Sequence, residues 1–256
     1  MHPGGELFMN EKDKEAISVK NMTKTYRGGT TALDDVSLSV GEGELFGLLG
    51  VNGAGKSTLI KILSGLILPS SGTATVMGYD VRTEMDKIRA VSGISPQETA
   101  VAPNLTVEEN LRFFAELYGT EKEKLDARVS ETLESFSLTG VMKRRARTLS
   151  GGYQRRLSVA IALICSPRVL YLDEPTLGLD VIARRELWKI ISSLRGKMTV
   201  ILTSHYLEEI EALCDRVAVM SCGHVLALGT VGDIKAAGGS DSFEDAFISI
   251  VGGGRL

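Results

Sequence analysis

Lys56 lies in the run Gly50-Val51-Asn52-Gly53-Ala54-Gly55-Lys56-Ser57-Thr58, which fits the pattern G-x-x-x-x-G-K-[ST]. Glycine at Gly53 and Gly55 lets the main chain curl tightly, so that several N–H groups point inward at an anion. Around Asn52 such a loop would cradle phosphate, and a helix opening at Lys56 to Thr58 would add its positive dipole end. Lys56 contributes a mobile positive charge for β- and γ-phosphates, and the Ser57 hydroxyl is an oxygen ligand of the kind Mg²⁺ accepts. A second acidic element is needed to hold the metal. Val169-Leu170-Tyr171-Leu172-Asp173-Glu174 provides it, as an apolar strand ending in two carboxylates. Asp173 is placed for the metal shell at the C-terminal end of a strand, where ligands collect in open α/β sheets. Glu174 follows as the candidate base or orienter for an attacking water. Together these residues point to a nucleoside-triphosphatase.

The elements around them have the alternation that such a site requires. Short strands are expected at Ile17–Val19 and Val36–Val40, and a buried one at Glu44–Leu49 that feeds the glycine loop. Leu59, Ile62, Leu63 and Leu66 recur at helical spacing over Lys56–Leu66. Further strands are expected at Ala74–Met77, Val91–Ile94, Val169–Leu172 and Thr199–Thr203. Val217–Met220 and Val225–Leu228 flank Ser221-Cys222-Gly223 as a hairpin. From Val107 to Phe136 the pattern turns helical, with a break at Gly119, and another helix is expected from Gly151. Helices over Ala183–Leu194 and Leu207–Leu213 complete the alternation. The fold class is α/β: a P-loop core with an inserted helical subdomain. Residues 1–16 and 252–256 are expected to be flexible tails. Residues 17–251 form one domain, with the nucleotide-binding core over 17–97 and 167–230, the helical subdomain over 98–166 and a C-terminal segment over 231–251.

Leu149-Ser150-Gly151-Gly152 opens a helix with Ser150 at the N-cap, which makes a second anion-binding helix start. With the phosphate loop before it and the acidic strand 23 residues after Ser150, the chain from Ile17 to Val251 resembles the ATP-binding cassette (ABC) family. The resemblance implies an N-terminal antiparallel β portion, and ATP and Mg²⁺ as ligands. It also implies that Tyr26 stacks on adenine, that Gln97 contacts the metal or water and hinges the insertion, and that His205 senses the γ-phosphate. Asp180 resembles the loop that meets a partner subunit. In this family Ser150, Gly151 and Gly152 of one subunit complete the nucleotide site of another. A homodimer of two cassettes is therefore implied, acting on a separate transmembrane permease that docks near Gln97–Thr106. Phe243-Glu244-Asp245-Ala246-Phe247 resembles the ending of exporter cassettes. Three positions depart from the usual pattern. Val51 and Val181 stand where proline is common, the latter predicting a less rigid helix start after Asp180, and Tyr153 stands where the signature usually ends in glutamine. The alternative reading is a non-transport ABC ATPase acting on nucleic acid or ribosomes.

Composition narrows the field. At 256 residues, with 43% hydrophobic residues and a formal net charge of −3, the chain has enough material for a large core and no global basic excess. Nucleic acid is therefore not an expected partner, and Lys143-Arg144-Arg145-Ala146-Arg147 reads as a solvated face beside the signature. No stretch of about 18 apolar residues occurs. Three cysteines without CxxC spacing suggest a reducing compartment and buried, inert thiols. The expected location is cytoplasmic, on the inner membrane face through the permease.

Overall fold

A computed structural model describes residues 15–253. Strand β1 (Glu15–Thr25) pairs antiparallel with β2 (Thr31–Gly41) on one side and with β4 (Ser71–Val76) on the other, and β5 (Tyr79–Asp80) closes this four-stranded sheet. The strand begins earlier than the sequence suggests. Glu15 and Ala16, expected to be part of a flexible tail, lie inside β1, because Ala16 is 1% exposed and its carbonyl accepts from the Met77 amide at 2.6 Å. Residues 1–14 of that expected tail lie outside the described residues.

The second sheet has six strands in the order β10-β9-β3-β8-β7-β6. These are β3 (Leu45–Gly50), β6 (Ser92–Ser95), β7 (Val169–Asp173), β8 (Thr199–Ser204), β9 (Arg216–Ser221) and β10 (His224–Gly229). All neighbours are parallel except β9 and β10. A parallel sheet is covered on both faces, so its strands are apolar throughout rather than alternating with polar residues. β3 is buried at all six positions. Phe46 and Leu48 face the antiparallel sheet with Tyr171, Ile201, Ala218 and Met220. Leu45 and Leu49 face the helices with Leu170, Leu172, Val200 and Val217. Two hydrophobic cores thus share one sheet.

Helix α1 (Lys56–Leu63) follows β3 and buries Leu59, Ile60, Ile62 and Leu63. It is shorter than expected. Gly65 takes a φ of 71°, its amide donates to Ile62 and the Leu66 amide donates to Lys61. This left-handed cap terminates the helix and leaves Leu66 exposed. After α2 (Met85–Val91), which the sequence reading did not anticipate, β6 leads into the insertion. Helices α3 (Val107–Leu117) and α4 (Lys122–Ser135) are separated at Gly119, as expected, followed by short 3₁₀ turns and α5 (Gly151–Leu163). Thr106 and Glu109 form a reciprocal capping box at the start of α3. The last insertion helix does not stand apart from the sheet. Leu157, Ala160 and Ile161 of α5 join the core with Leu170 and Leu172, and a Cβ at Gly93 of β6 would meet the Ala162 carbonyl at 2.1 Å.

Helices α6 (Val181–Ser192) and α7 (Leu207–Leu213) follow β7 and β8. The β9–β10 hairpin turns through Cys222 and Gly223, both at positive φ (47° and 84°), the combination a tight two-residue turn needs. Cys222 is therefore exposed, contrary to the expectation of buried thiols, Cys165 is partly buried, and only Cys214 is fully inside. The C-terminal segment is two helices, α8 (Val231–Gly238) and α9 (Phe243–Gly253). Gly252 and Gly253, expected to be tail, end α9, and residues 254–256 lie outside the described residues. None of the described helices is long and apolar enough to cross a membrane.

Candidate functional site

The glycine loop joins β3 to α1, and its shape is set by what surrounds it. Gly50 closes β3 so near β9 that a Cβ there would lie 2.3 Å from the Met220 carbonyl. The hairpin tip supports the loop from outside: the Gly223 amide donates to the Ala54 carbonyl at 3.2 Å, and Gly223 accepts from Asp34. Gly55 caps α1 at a φ of 103°. An added Cβ would meet the Ala32 carbonyl at 2.5 Å and Leu33 Cδ2 at 2.8 Å. Both φ and space therefore demand glycine. Gly55→Ala is expected to cost about 1–3 kcal/mol of stability through backbone strain and to weaken nucleotide binding at least about tenfold, a factor worth about 1.4 kcal/mol. Titration with a fluorescent nucleotide and thermal melting check both.

The loop, Tyr26, Thr30 of the β1–β2 turn, Thr31 and Ala32 at the start of β2, and Gln97 and Glu174 line one cavity of about 490 Å³. As at any helix start, the first amides of α1 have no partner within the helix and open onto it. Lys56 is only 5% exposed. Its Nζ donates to the carbonyls of Gly50 at 2.6 Å and Val51 at 3.2 Å. Burial draws the ammonium below its ordinary pKa, while Glu174 and Asp173 pull it back up. Tyr26 is exposed at the cavity mouth, its hydroxyl 3.3 Å from Thr58 Oγ1 and its ring under Lys24 Nζ.

Asp173 and Glu174 stand at the end of β7, beside β8. Thr203 Oγ1 donates to Asp173 Oδ1 at 2.5 Å and accepts from the Glu174 amide at 2.9 Å. One buried hydroxyl thus orients both acidic residues. Glu174 itself sits at a φ of 48°, an uncommon conformation for a residue with a Cβ and one that persists only where neighbours enforce it. Its Oε2 is 3.3 Å from His205 Nδ1, with the carboxyl side chain 11% exposed and the imidazole 37%. Glu174 and Gln97 therefore share the cavity with Lys56, and His205 joins them through Glu174.

The residues available suit Mg²⁺ bound through phosphates. Among the described residues, no group of three His, Cys, Asp or Glu forms a metal cluster, whereas Mg²⁺ is held by one or two protein oxygens plus nucleotide and water. Ser57 and Gln97 supply hard oxygen donors in the cavity lining; Asp173 lies outside that lining at the end of β7, with only its Oδ1 engaged by Thr203.

Ser150, Gly151 and Gly152 are not in this cavity. They line a separate one of about 380 Å³, with Tyr153, Asp180 and the start of α6. Ser150 occupies the N-cap position by its backbone, but its side chain makes no capping hydrogen bond. Tyr153 lies under the Arg156 guanidinium, 4.8 Å from ring centroid to Cζ. Gln154 does not replace the missing signature glutamine, because its Nε2 donates back to the Ala146 and Leu149 carbonyls. Asp180 caps α6, accepting from the Ile182 and Ala183 amides at 2.9 Å each. Two site residues escaped the sequence reading. Thr203 carried no signal beyond preceding Ser204 and His205, and Arg155 was indistinguishable from Arg156 until the helix phase was known. Arg155 points inward to the carbonyls around Gln97 and Glu174.

The ABC transporter family profile matches residues 33–177. The chain is similar to the doxorubicin resistance ATP-binding protein DrrA of Mycobacterium tuberculosis, at 42% identity over 93% of this chain and 71% of that protein. It is similar at 41% identity to the linearmycin resistance ATP-binding protein LnrL of Bacillus subtilis, over 91% of this chain and 75% of that protein. Among solved structures, the ATP-binding subunit of an ABC transporter superposes with a TM-score of 0.82 at 29% identity, covering 92% of this chain and 99% of that one. A dimeric ATP-binding cassette in a post-hydrolysis state, bound to ADP and Pi, superposes with a TM-score of 0.76 at 27% identity, covering 84% and 98%.

Proposed function

This chain belongs to the ABC transporter family and is an ATP-binding ATPase, and from that premise we propose that two copies clamp ATP between them to drive export through a separate membrane subunit. Lys56 and the amides of the loop from Asn52 to Thr58 grip the triphosphate. Tyr26 stacks on the base, a contact that tolerates any flat ring. Ser57, Asp173 and Gln97 would hold Mg²⁺, which would neutralise negative charge on the transferred phosphoryl group. Glu174 orients the attacking water and takes its proton, and His205 senses the γ-phosphate from its place beside Glu174. Ser150, Gly151 and Gly152 of the second copy present their helix start to the same nucleotide.

The observation that carries the two-copy reading is the separation of the two cavities: Lys56 and Glu174 line one, the signature lines another. A nucleotide held at the first therefore needs a second chain to meet a signature. ATP then favours the closed pair only through contacts that both halves make with it, and hydrolysis removes that difference. Exposed Val181 and Ile182 beside Asp180 offer apolar area for the seam.

Export is supported by the two relatives named for doxorubicin and linearmycin resistance. The permease docks along Gln97–Thr106. Asn110, fully buried, makes that segment a firm platform: it accepts from the Ala102 amide and donates to the carbonyls of Ala102, Leu105 and Thr106. The basic run beside the signature lends the nucleic-acid alternative little support, because Lys143 pairs with Glu108 and Arg144 donates to Thr148. Co-expression with a multi-span membrane protein from a neighbouring reading frame is expected to yield a co-purifying complex with ATP turnover raised severalfold in lipid vesicles. Indifference to that partner, together with tight nucleic-acid binding that falls steeply with salt, overturns the assignment.

A further inference from the structure

Arg155 is 4% exposed and belongs to the second turn of α5. All five donors of its guanidinium are used, and every acceptor is a main-chain carbonyl. Nε donates to Pro175 at 2.7 Å; Nη1 donates to Pro96 at 2.5 Å and Gln97 at 3.1 Å; Nη2 donates to Asp173 at 2.7 Å and Glu174 at 2.9 Å. Among the described residues no carboxylate pairs with it directly, and burial draws its pKa down while Asp173, Glu209 and Glu174 pull it back up. A buried charge spread over five carbonyls of two loops costs much desolvation. Only a planar fork with five donors can serve this arrangement, since an ammonium has three.

The two loops are the ones that carry Gln97 and the Asp173–Glu174 pair. Glu174 is held on both sides at its uncommon φ: its amide by Thr203, its carbonyl by Arg155. Meanwhile the helix bearing Arg155 starts at Gly151, about 6 Å away along the axis at 1.5 Å per residue. A short rigid rod therefore links the signature end to the backbone under both catalytic side chains. Neighbouring Arg156 turns the other way and pairs with Glu186 of α6.

We propose that Arg155 is a positioning residue that couples the seating of the signature helix to the placement of Gln97 and Glu174 in the same chain. This rests on the two-copy reading above. Engagement of Ser150–Gly152 by the nucleotide of the second copy fixes α5, and Arg155 carries that constraint to the catalytic loops. Each site's readiness then depends on the occupancy of the other.

The test is a double-mutant cycle on the full chain with R155K, S150A and the R155K/S150A pair. R155K keeps the charge and loses the fork. Its nucleotide affinity, read by fluorescent ATP-analogue titration, should stay within about twofold, while kcat falls at least about tenfold per bound nucleotide, a loss of about 1.4 kcal/mol in transition-state stabilisation. Thermal melting identifies the folded fraction used for that normalisation. If the two residues act through one unit, the pair should be about as slow as the slower single variant rather than the product of both losses. The proposal falls if R155K turns over within twofold of the parent, if its rate drops only with bound nucleotide, or if the two losses multiply. An S150A chain that turns over like the parent sinks the two-copy reading instead, whereas a slow S150A beside a parental R155K sinks only the role of Arg155.

Discussion

Lys56→Ala is expected to lower ATP turnover by about a thousandfold, near 4 kcal/mol, the upper range for removing one preorganised charge stabiliser. Two effects add. The nucleotide loses a charge-assisted contact worth about 1.5–3 kcal/mol, which weakens binding about tenfold to a hundredfold. The transition state loses the same cation where charge spreads over the transferred phosphoryl oxygens. The geometry favours a large effect, because Lys56 is almost wholly screened from water and its Nζ rests on Gly50 and Val51 carbonyls. Those carbonyls are the ligand's competitors, and nucleotide binding must draw the ammonium off them. Burial also holds the Lys56 ammonium below its usual pKa, so the incoming phosphate stabilises its charged form. The fold should survive, since α1 keeps Leu59, Ile60, Ile62 and Leu63 in the core. Steady-state turnover and nucleotide titration, with melting as the control, separate these contributions. Turnover within tenfold of the parent would remove Lys56 from the site.

The parts of the site readable in advance were those whose chemistry is local in the chain. The glycine loop needs a strand before it and a helix after it, and β3 and α1 are there. Asp173 and Glu174 are adjacent at a strand end, and the order of motifs leads to His205. What sequence left out depends on the third dimension. Thr203 acts by lying on the strand next to β7, which only the sheet order reveals. Arg155 and Arg156 look alike until α5 is docked, and then one bonds the main chain under the catalytic loops while the other meets α6. The early start of β1 and the length of α9 escaped for a related reason. Ala16 earns its place through Met77, far along the chain, and Gly252 and Gly253 have poor helix propensity yet continue a helix anchored by Phe243 and Ala246. Tertiary contacts overrode local preference at both ends.

Glu174→Gln is expected to retain ATP and stall hydrolysis, so that an ATP-held dimer accumulates. The substitution is nearly isosteric and leaves the main chain alone: the Glu174 amide still donates to Thr203, and its carbonyl still accepts from Arg155. What changes is the head group 3.3 Å from His205 Nδ1. An amide can still hydrogen-bond a water but cannot take its proton, and loss of a positioned general base typically costs about 10²–10⁴ in rate. The phosphate grip of Lys56 is untouched and a negative charge leaves the cavity, so affinity for ATP should hold or rise. With the clamp closed and the exit step blocked, gel filtration in ATP should show the chain at twice its monomer mass, reverting on exchange into ADP. The ADP arm matters, because a dimer that ignores nucleotide reflects sticky apolar residues such as Val181 and Ile182 rather than shared ATP. A monomer at saturating ATP with parental turnover would strip Glu174 of its role. A monomer with stalled turnover would keep that role and dissolve the two-copy clamp, which shows that the chemistry of one cavity and the pairing of two are separable claims about the same carboxylate.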